Sequence, residues 1–379
     1  MKRFPAMRLI LGVSLTVIGG ILGFHAGADE SAISNQPQRK AKLTLAGLRS
    51  VDVMKYTKDV MAHQLSDEQI DNLVVTLKTL NINCIALSIP MDSSADYPAN
   101  NKPSPRDAYV LTGKWADTVH QHGLHVIWRG TWSGIEGISG FARRVGANRF
   151  PAGTAASAAT DGSSTWLGKT YQYIVGHPEF FVPGDVWAPL PERTENIFQD
   201  GTSFLPYSRD GINVTYTNFF NDLKTVSETA FAKIGKAVIT GMTTNNYTEV
   251  KSGWLPQSFF EAQGITVIDY YGDNHTPEEM DKDIRQMYAM HKKPLFLQEW
   301  SDYWNGGLSE ADRTDYLKRI YAVMQKLIDD GVLVGFNYWG GWSDTAESVL
   351  TQDGSGFHLN YRGRILQNFF KVNPRSRHE

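Results

Sequence analysis

The feature that most constrains the fold is an alternation of short apolar runs, rich in β-branched residues, with longer stretches of helical spacing. Alternation of this kind indicates βα units and therefore a parallel sheet. Eight such runs are predicted as strands, at residues 46–51, 84–89, 124–129, 183–187, 237–241, 266–271, 294–299 and 333–338. The pattern predicts an α/β protein with a (β/α)8 TIM barrel, a single domain with long loops at the carboxyl-end face. An open doubly wound sheet is the alternative, but no glycine-rich phosphate motif follows a predicted strand.

Helix start signals support this alternation. Ser66-Asp67-Glu68-Gln69 has the form of a capping box and predicts a helix that runs to Leu80. Thr276 before Pro277, and Ser309 before an acidic turn, predict two further helix starts.

Charge and composition exclude several classes of function. The net charge is -3 and no basic block is present, which argues against a nucleic-acid partner. The single cysteine, Cys84, excludes an intrachain disulfide and a multi-cysteine zinc site. His275 and Asp273 have no further partner at metal-ligand spacing, so neither a metal nor a cofactor is predicted. The 10 Trp, 16 Tyr and 18 Phe residues favour a protein that handles sugars.

The N-terminus has the pattern of an export signal. Lys2, Arg3 and Arg8 precede the uncharged run 9–24, and Ala26-Gly27-Ala28 has the form of a cleavage site. The alternative is an uncleaved membrane anchor, although the run is shorter than the ~20 apolar residues that a spanning helix needs. We therefore expect a signal peptide over 1–28, a flexible linker over 29–42, a catalytic domain over 43–373 and a C-terminal tail over 374–379. The expected location is periplasmic or extracellular, with no stable membrane span after cleavage.

A barrel places its chemistry at the carboxyl ends of the strands. Aromatic and polar side chains follow most of the predicted strands there, and together they suit the apolar faces and hydroxyl groups of sugar rings. Packing in the core is the alternative for any single tryptophan. The candidate substrate-binding residues are Trp128, Arg129, Trp132, Trp187, Asn245, Tyr270, Tyr271, His275, Trp300, Trp304, Trp339 and Trp342.

Two glutamates are the candidate catalytic residues. Glu299 ends an apolar strand, where a buried charge without a function would be costly. Its alternative role is a structural ion pair with Arg129 across the barrel mouth. Glu192 follows the fourth strand in a loop stiffened by prolines, and its alternative role is that of a surface residue. Asp185 and Glu195 are competing candidates for the same role.

Three segments resemble the retaining glycoside hydrolases of the clan A (β/α)8 barrels, and the resemblance spans about 43–373. They are Pro294-Leu295-Phe296-Leu297-Gln298-Glu299-Trp300, Gly335-Phe336-Asn337-Tyr338-Trp339 and Gly264-Ile265-Thr266-Val267-Ile268-Asp269-Tyr270-Tyr271. The resemblance implies that Glu299 is the nucleophile, that Glu192 is the acid/base, and that Trp339 stacks on the sugar. It also implies that Tyr270 or Tyr271 hydrogen-bonds the nucleophile.

One position departs from the family pattern. The family has asparagine directly before the acid/base glutamate, where it binds the substrate 2-hydroxyl group, but this chain has Pro191. Either another group such as Asn245 binds that hydroxyl, or Glu192 is not the acid/base.

The sequence thus predicts an exported hydrolase that cleaves β-glycosidic bonds of a polysaccharide or oligosaccharide with retention of configuration. The two carboxyl groups are then expected ~5 to 5.5 Å apart. Long loops favour endo action. The alternative function is that of a non-catalytic carbohydrate-binding barrel of the cell envelope or extracellular matrix. No prediction of oligomeric state follows from the sequence.

Overall fold

A computed structural model describes most of the predicted barrel. The described residues are 45, 47–57, 65–90, 105–131, 166–190, 208–209, 212–213, 216–253, 255–272, 275–302 and 309–372. All of them belong to the compact unit Leu43–Glu379. The predicted signal peptide, linker and C-terminal tail lie outside the described residues.

The centre of the fold is a parallel sheet of seven strands in the order β4-β3-β2-β1-β9-β8-β7. Its strands are β1 Arg49–Asp52, β2 Cys84–Pro90, β3 His125–Thr131, β4 Val186–Ala188, β7 Thr266–Asp269, β8 Leu295–Trp300 and β9 Leu333–Trp339. Short antiparallel pairs lie outside this sheet, and they are β5 Ser208–Arg209 with β6 Ile212–Asn213, and β10 Leu350–Asp353 with β11 Gly356–Leu359.

The predicted fifth strand lies between the two edges of this sheet, although only isolated bridges form there. Ile239 pairs in parallel with Val186 of β4, and Asn246 pairs in parallel with Asp269 of β7. The backbone N–H of Trp187 donates to Ile239 O over 2.8 Å, and that of Asp269 donates to Asn245 O over 2.9 Å. Residues 237–246 therefore join β4 to β7 and close the barrel, which confirms the predicted (β/α)8 fold.

Helices surround the sheet in alternation with the strands. They are α1 Met54–Thr57, α2 Asp67–Lys78, α3 Pro105–Gln121, α4 Trp166–Gly176, α5 Tyr216–Lys233, α6 Tyr247–Lys251, α7 Gln257–Gln263, α8 Pro277–His291, α9 Glu310–Asp329 and α10 Tyr361–Val372. The predicted capping boxes at Ser66 and Thr276 are both present, and the side chain of Ser309 caps the third predicted helix start. These local signals fix where these three helices begin.

Two apolar layers result from the alternation of side chains along each strand. The larger cluster lies between the sheet and the helices. The smaller one fills the barrel interior with side chains such as Ala86, Ile127, Val186, Val267 and Phe296. Above this interior layer, toward the carboxyl ends of the strands, the inward positions carry polar residues. This polar layer is where a barrel holds its functional groups.

Among the described residues, no helix is both long enough and apolar enough to cross a membrane.

Candidate active site

Glu299 lies at an irregularity near the end of β8. The register of β8 shifts against β7 between Ile268 and Asp269, and against β9 between Leu297 and Trp300. Irregularities of this kind bend a strand and re-aim its side chains, and they are common next to active sites. Here Leu297 and Trp300 both pack in the outer apolar layer. The shift lets Glu299 point into the barrel mouth, where its side chain contacts Arg129.

Arg129 connects two buried carboxylates. It lies on β3, and its guanidinium donates from Nη2 to Glu299 and from Nη1 to Asp52 Oδ2 over 2.5 Å. All three side chains are almost fully buried, with Glu299 and Arg129 each 3% exposed and Asp52 0% exposed. The ion pair with Arg129, expected as the structural role of Glu299, is therefore present at the barrel mouth.

Tyr271 and Trp339 form one wall of this cluster. The hydroxyl of Tyr271 donates to Glu299 Oε2, so Tyr271 rather than Tyr270 contacts the glutamate. The ring of Tyr271 meets that of Trp339 edge to face, with centroids 5.7 Å apart. Trp339 is half-buried, and its indole N–H points to the sulfur of Met54 over 2.8 Å. An aromatic face thus stands beside the carboxylate, which suits the stacking of a sugar ring.

Asp52 is a member of the site that the sequence analysis missed. It ends β1, and it accepts hydrogen bonds from Met54 N at 2.7 Å, from Arg129 and from Asn337 Nδ2 at 3.3 Å. Burial in the barrel raises the pKa of Asp52 above its ordinary value, although contact with Arg129 opposes that shift. Like Glu299, Asp52 is a charged residue close to the carboxyl end of a barrel strand, and this position is the signal that points to it.

Four of the predicted substrate-binding aromatics lie away from this cluster. Trp128, Trp187, Tyr270 and Trp300 are each 0% exposed and pack in the layer between the sheet and the helices. The rings they contact include Phe181, Phe231, Tyr247 and Tyr321. For these residues, the structure gives the core role that was the alternative for any single aromatic side chain.

The remaining described candidates lie at three different places. Trp342 is fully buried behind Trp339, with ring centroids 4.9 Å apart. Asn245 is buried at the end of the fifth segment, where its Nδ2 donates to Val267 O over 2.9 Å. His275 packs against the rings of Tyr247 and Tyr270, which places it beside the outer layer.

Asp185 lies at the opposite end of the barrel from Glu299. It precedes β4 and accepts hydrogen bonds from His120 Nε2, Val126 N and Trp128 Nε1 at 3.0 to 3.1 Å. Its carboxylate is thus used at the amino ends of the strands, so its candidacy as the acid/base was wrong. The competing candidates Glu192 and Glu195, together with Pro191, lie outside the described residues, as do Trp132, Trp304 and Asp273.

Within the described part of the chain, no group of three or more His, Cys, Asp or Glu side chains is arranged to hold a metal ion.

The chain is similar to known proteins in three-dimensional structure and not in sequence. No protein-family model and no curated protein matches the sequence. A glycoside hydrolase family 5 mannosidase from Rhizomucor miehei is similar over 86% of this chain and 92% of its own, with 13% identity and a TM-score of 0.51. A Bacteroides ovatus family 5 xyloglucanase is similar over 86% and 75%, with 9% identity and a TM-score of 0.54. A family 1 β-glucosidase from Thermotoga maritima is similar over 87% and 98%, with 13% identity and a TM-score of 0.51. The chain therefore has the TIM-barrel fold of the clan A glycoside hydrolases.

Proposed function

We propose that this protein is a glycoside hydrolase that cleaves β-glycosidic bonds of a polysaccharide or oligosaccharide with retention of configuration. The observation that carries the proposal is the environment of Glu299. Its carboxylate lies at the carboxyl end of β8 and contacts both Arg129 and the hydroxyl of Tyr271. This position is the one in which TIM-barrel enzymes place catalytic groups.

In this mechanism Glu299 is the nucleophile. A guanidinium and a phenolic hydroxyl both stabilise the ionised carboxylate, which is the form that attacks the anomeric carbon. The attack gives a covalent glycosyl-enzyme, and water then cleaves it. The irregularity in β8 supports this role because it turns Glu299 toward the barrel mouth.

We assign the acid/base role to Glu192. It would protonate the leaving oxygen and then deprotonate the attacking water. Support comes from the strand that precedes it, because Ala188 of β4 is in register with Arg129 of β3. The chain therefore leaves β4 at the level of the Glu299 cluster. A carboxyl separation of about 5 to 5.5 Å is expected, whereas a separation near 9 Å would indicate inversion.

Trp339 is the proposed stacking surface for the sugar. Asn245 is the proposed partner of the sugar's 2-hydroxyl group, because Pro191 stands where the family has the asparagine that binds this hydroxyl. Asn245 Oδ1 is buried and has no hydrogen-bond partner among the described residues, so it is available to accept a hydroxyl. Because the compared structures include a mannosidase, a xyloglucanase and a β-glucosidase, the substrate screen spans those three classes. Endo action on a polymer is part of the proposal.

We also propose that the protein is exported. The basic residues, apolar run and small residues of 1–28 support cleavage of a signal peptide. Mass spectrometry of the protein recovered from the periplasm or medium would give a mature N-terminus after residue 28. Recovery of the uncleaved chain in the membrane fraction would refute cleavage and favour an anchor.

A non-catalytic carbohydrate-binding barrel is the second candidate function. The ion pair between Arg129 and Glu299 favours it, because such a pair can serve structure alone. It predicts binding of sugars without turnover.

The two functions are separated by activity assays with a matched variant. Aryl β-glucosides, β-mannosides and soluble xyloglucan would be incubated with the wild type and with Glu299→Gln, which preserves size and removes the charge. The hydrolase predicts product from at least one substrate and a loss of about 10³-fold or more in Glu299→Gln, with sugar binding retained. Release of a β-configured hemiacetal, seen by proton NMR, would establish retention. Sugar binding with no product in the wild type would instead favour the binding protein.

A further inference from the structure

A second buried carboxylate, Asp52, shares a guanidinium with the proposed nucleophile. We propose that Asp52 is a positioning residue that holds Arg129 against Glu299, an inference that rests on the proposed glycosidase function. Asp52 ends β1, Arg129 is on β3 and Glu299 is on β8, so the contact crosses the barrel mouth rather than following a sheet ladder.

The geometry of the guanidinium divides its nitrogens between the two acids. Nη1 of Arg129 donates to Asp52 Oδ2 over 2.5 Å, and Nη2 donates to Glu299 Oε1. An arginine side chain has several rotatable bonds, and fixing them costs conformational entropy. Because the planar group is rigid, the bond to Asp52 fixes the direction of Nη2. Asp52 therefore limits where the charge of Arg129 can lie relative to Glu299.

Asp52 is itself held in place, and one of its partners also reaches the segment that carries Glu299. Met54 N donates to Asp52 Oδ1 over 2.7 Å. The carboxamide Nδ2 of Asn337 donates both to Asp52 Oδ2 over 3.3 Å and to Gln298 O over 2.9 Å. Gln298 directly precedes Glu299 at the irregularity of β8. Asn337 thus links the carboxylate that orients Arg129 to the backbone that positions the nucleophile.

The charges in the cluster give this role a specific signature. Among the described residues, Arg129 is the charged group that contacts Asp52, while Met54 N and Asn337 are neutral. Glu299 is contacted by Arg129 and by the titratable hydroxyl of Tyr271. A neutral residue at position 52 removes one of the negative charges that oppose the positive charge of Arg129, so more of that charge acts on Glu299. The ionised form of Glu299 is then favoured, and its titration moves to lower pH.

The test compares Asp52→Asn with Asp185→Asn, a matched substitution of another buried aspartate at the opposite end of the barrel. Each variant is assayed on the substrate that the wild type cleaves best. For Asp52→Asn, we expect kcat to fall about 10- to 100-fold, with KM nearly unchanged, because the guanidinium stays beside Glu299 but loses the bond that fixes its direction. The acid limb of the profile of kcat/KM against pH should move down by roughly one unit. Asp185→Asn should leave that limb in place, and Asp52→Glu should restore it.

Carbon-13 NMR of the protein labelled in its glutamate and aspartate carboxyl groups gives a measurement that does not depend on activity. The Glu299 signal, assigned by its loss in Glu299→Gln, should titrate at lower pH in Asp52→Asn than in the wild type. The wild type also gives a test that needs no variant at position 52. The titrations of Asp52 and Glu299 should depend on each other, because the two carboxyl groups share one guanidinium. That measurement tests the inference even where a variant does not fold.

The outcomes distinguish this inference from the proposed function. An active wild type with an inactive Glu299→Gln, but with kcat and the acid limb unchanged in Asp52→Asn, would overturn the role of Asp52 and leave the glycosidase assignment intact. A wild type inactive on every substrate would overturn the glycosidase, and the NMR titration would then decide the link between Asp52 and Glu299. Independent wild-type titrations of the two carboxyl groups would overturn that link.

Discussion

The sharpest prediction about stability concerns Asp185, the buried aspartate at the amino end of the barrel. Its carboxylate accepts hydrogen bonds from Trp128 Nε1 at 3.0 Å, Val126 N at 3.0 Å, His120 Nε2 at 3.1 Å and Val182 N at 3.1 Å. Asparagine in its place keeps one acceptor oxygen but puts an N–H₂ group where an acceptor stood. Loss of one partner of a buried charged cluster costs about 3 to 5 kcal/mol, so Asp185→Asn should lower the free energy of unfolding by that amount.

The assay is urea unfolding followed by tryptophan fluorescence and by circular dichroism, with the two transitions compared. The matched control is Asp71→Asn, because Asp71 also contacts a histidine, His122, over 2.7 Å but is 57% exposed. Exposed pairs of this kind contribute about 0 to 1 kcal/mol. A loss in Asp185→Asn no larger than that in Asp71→Asn would refute the account of Asp185 as a structural centre.

The contribution of Asp185 should depend on pH in a defined direction. Burial alone would raise the pKa of Asp185, but the close contacts with His120 and His125 outweigh it and leave the pKa below the ordinary value of 3.8. The folded protein therefore binds the proton less readily than the unfolded chain does. The stabilising effect is fully present above pH 3.8 and is lost as the pH falls below it. The stability difference between the wild type and Asp185→Asn should consequently shrink on acidification below that pH.

Two further predictions concern the proposed active site. Tyr271→Phe should lower kcat about 10-fold and move the acid limb of kcat/KM to higher pH, because Glu299 loses a hydrogen-bond donor to its carboxylate. The control is Tyr270→Phe, because the hydroxyl of Tyr270 points to Asp283 over 3.5 Å. This variant should change neither kcat nor the acid limb in the same steady-state assay. Trp339→Ala should weaken sugar affinity by about 1 kcal/mol or more, roughly 5-fold, as measured by calorimetry with the inactive Glu299→Gln variant. Unchanged affinity in that double variant would contradict a stacking role for Trp339.

The fold was predictable because the alternation of β-branched runs with helical spacing recurs along the sequence. The fifth predicted strand, around Ile239, forms only isolated bridges among the described residues. The orientation of side chains was harder to predict. A strand buried on both faces is apolar throughout, so its sequence does not show which side chains point inward. For that reason Trp128 and Arg129 looked equally suited to the site, although the structure buries Trp128 in the outer layer and turns Arg129 toward Glu299.

Irregular register adds a second limit. Whether Glu299 or its neighbour Gln298 faces the barrel mouth depends on the register shift in β8. That shift depends on how β8 pairs with β7 and β9, and the sequence of β8 alone does not show it. Asp52 was missed for a different reason, since the first strand was predicted over 46–51 and therefore ended one residue before it, whereas β1 includes Asp52.

Asp185 and Asp52 act at opposite ends of the strand that carries Arg129. Asp185 accepts the backbone N–H of Val126 near the amino end of β3, and Asp52 holds the guanidinium near its carboxyl end. Between these points β3 pairs with β2 without a break from His125 to Thr131. A ladder of this length resists a local slip of register, because one step would turn every side chain of β3 to the other face. Loss of the Asp185 contacts should therefore lower the stability of the whole barrel and leave Arg129 in place in the molecules that remain folded. Loss of the Asp52 contact should instead leave the barrel folded and the guanidinium beside Glu299, but without the bond that fixes its direction. The same Asp→Asn change should therefore affect stability at position 185 and chemistry at position 52.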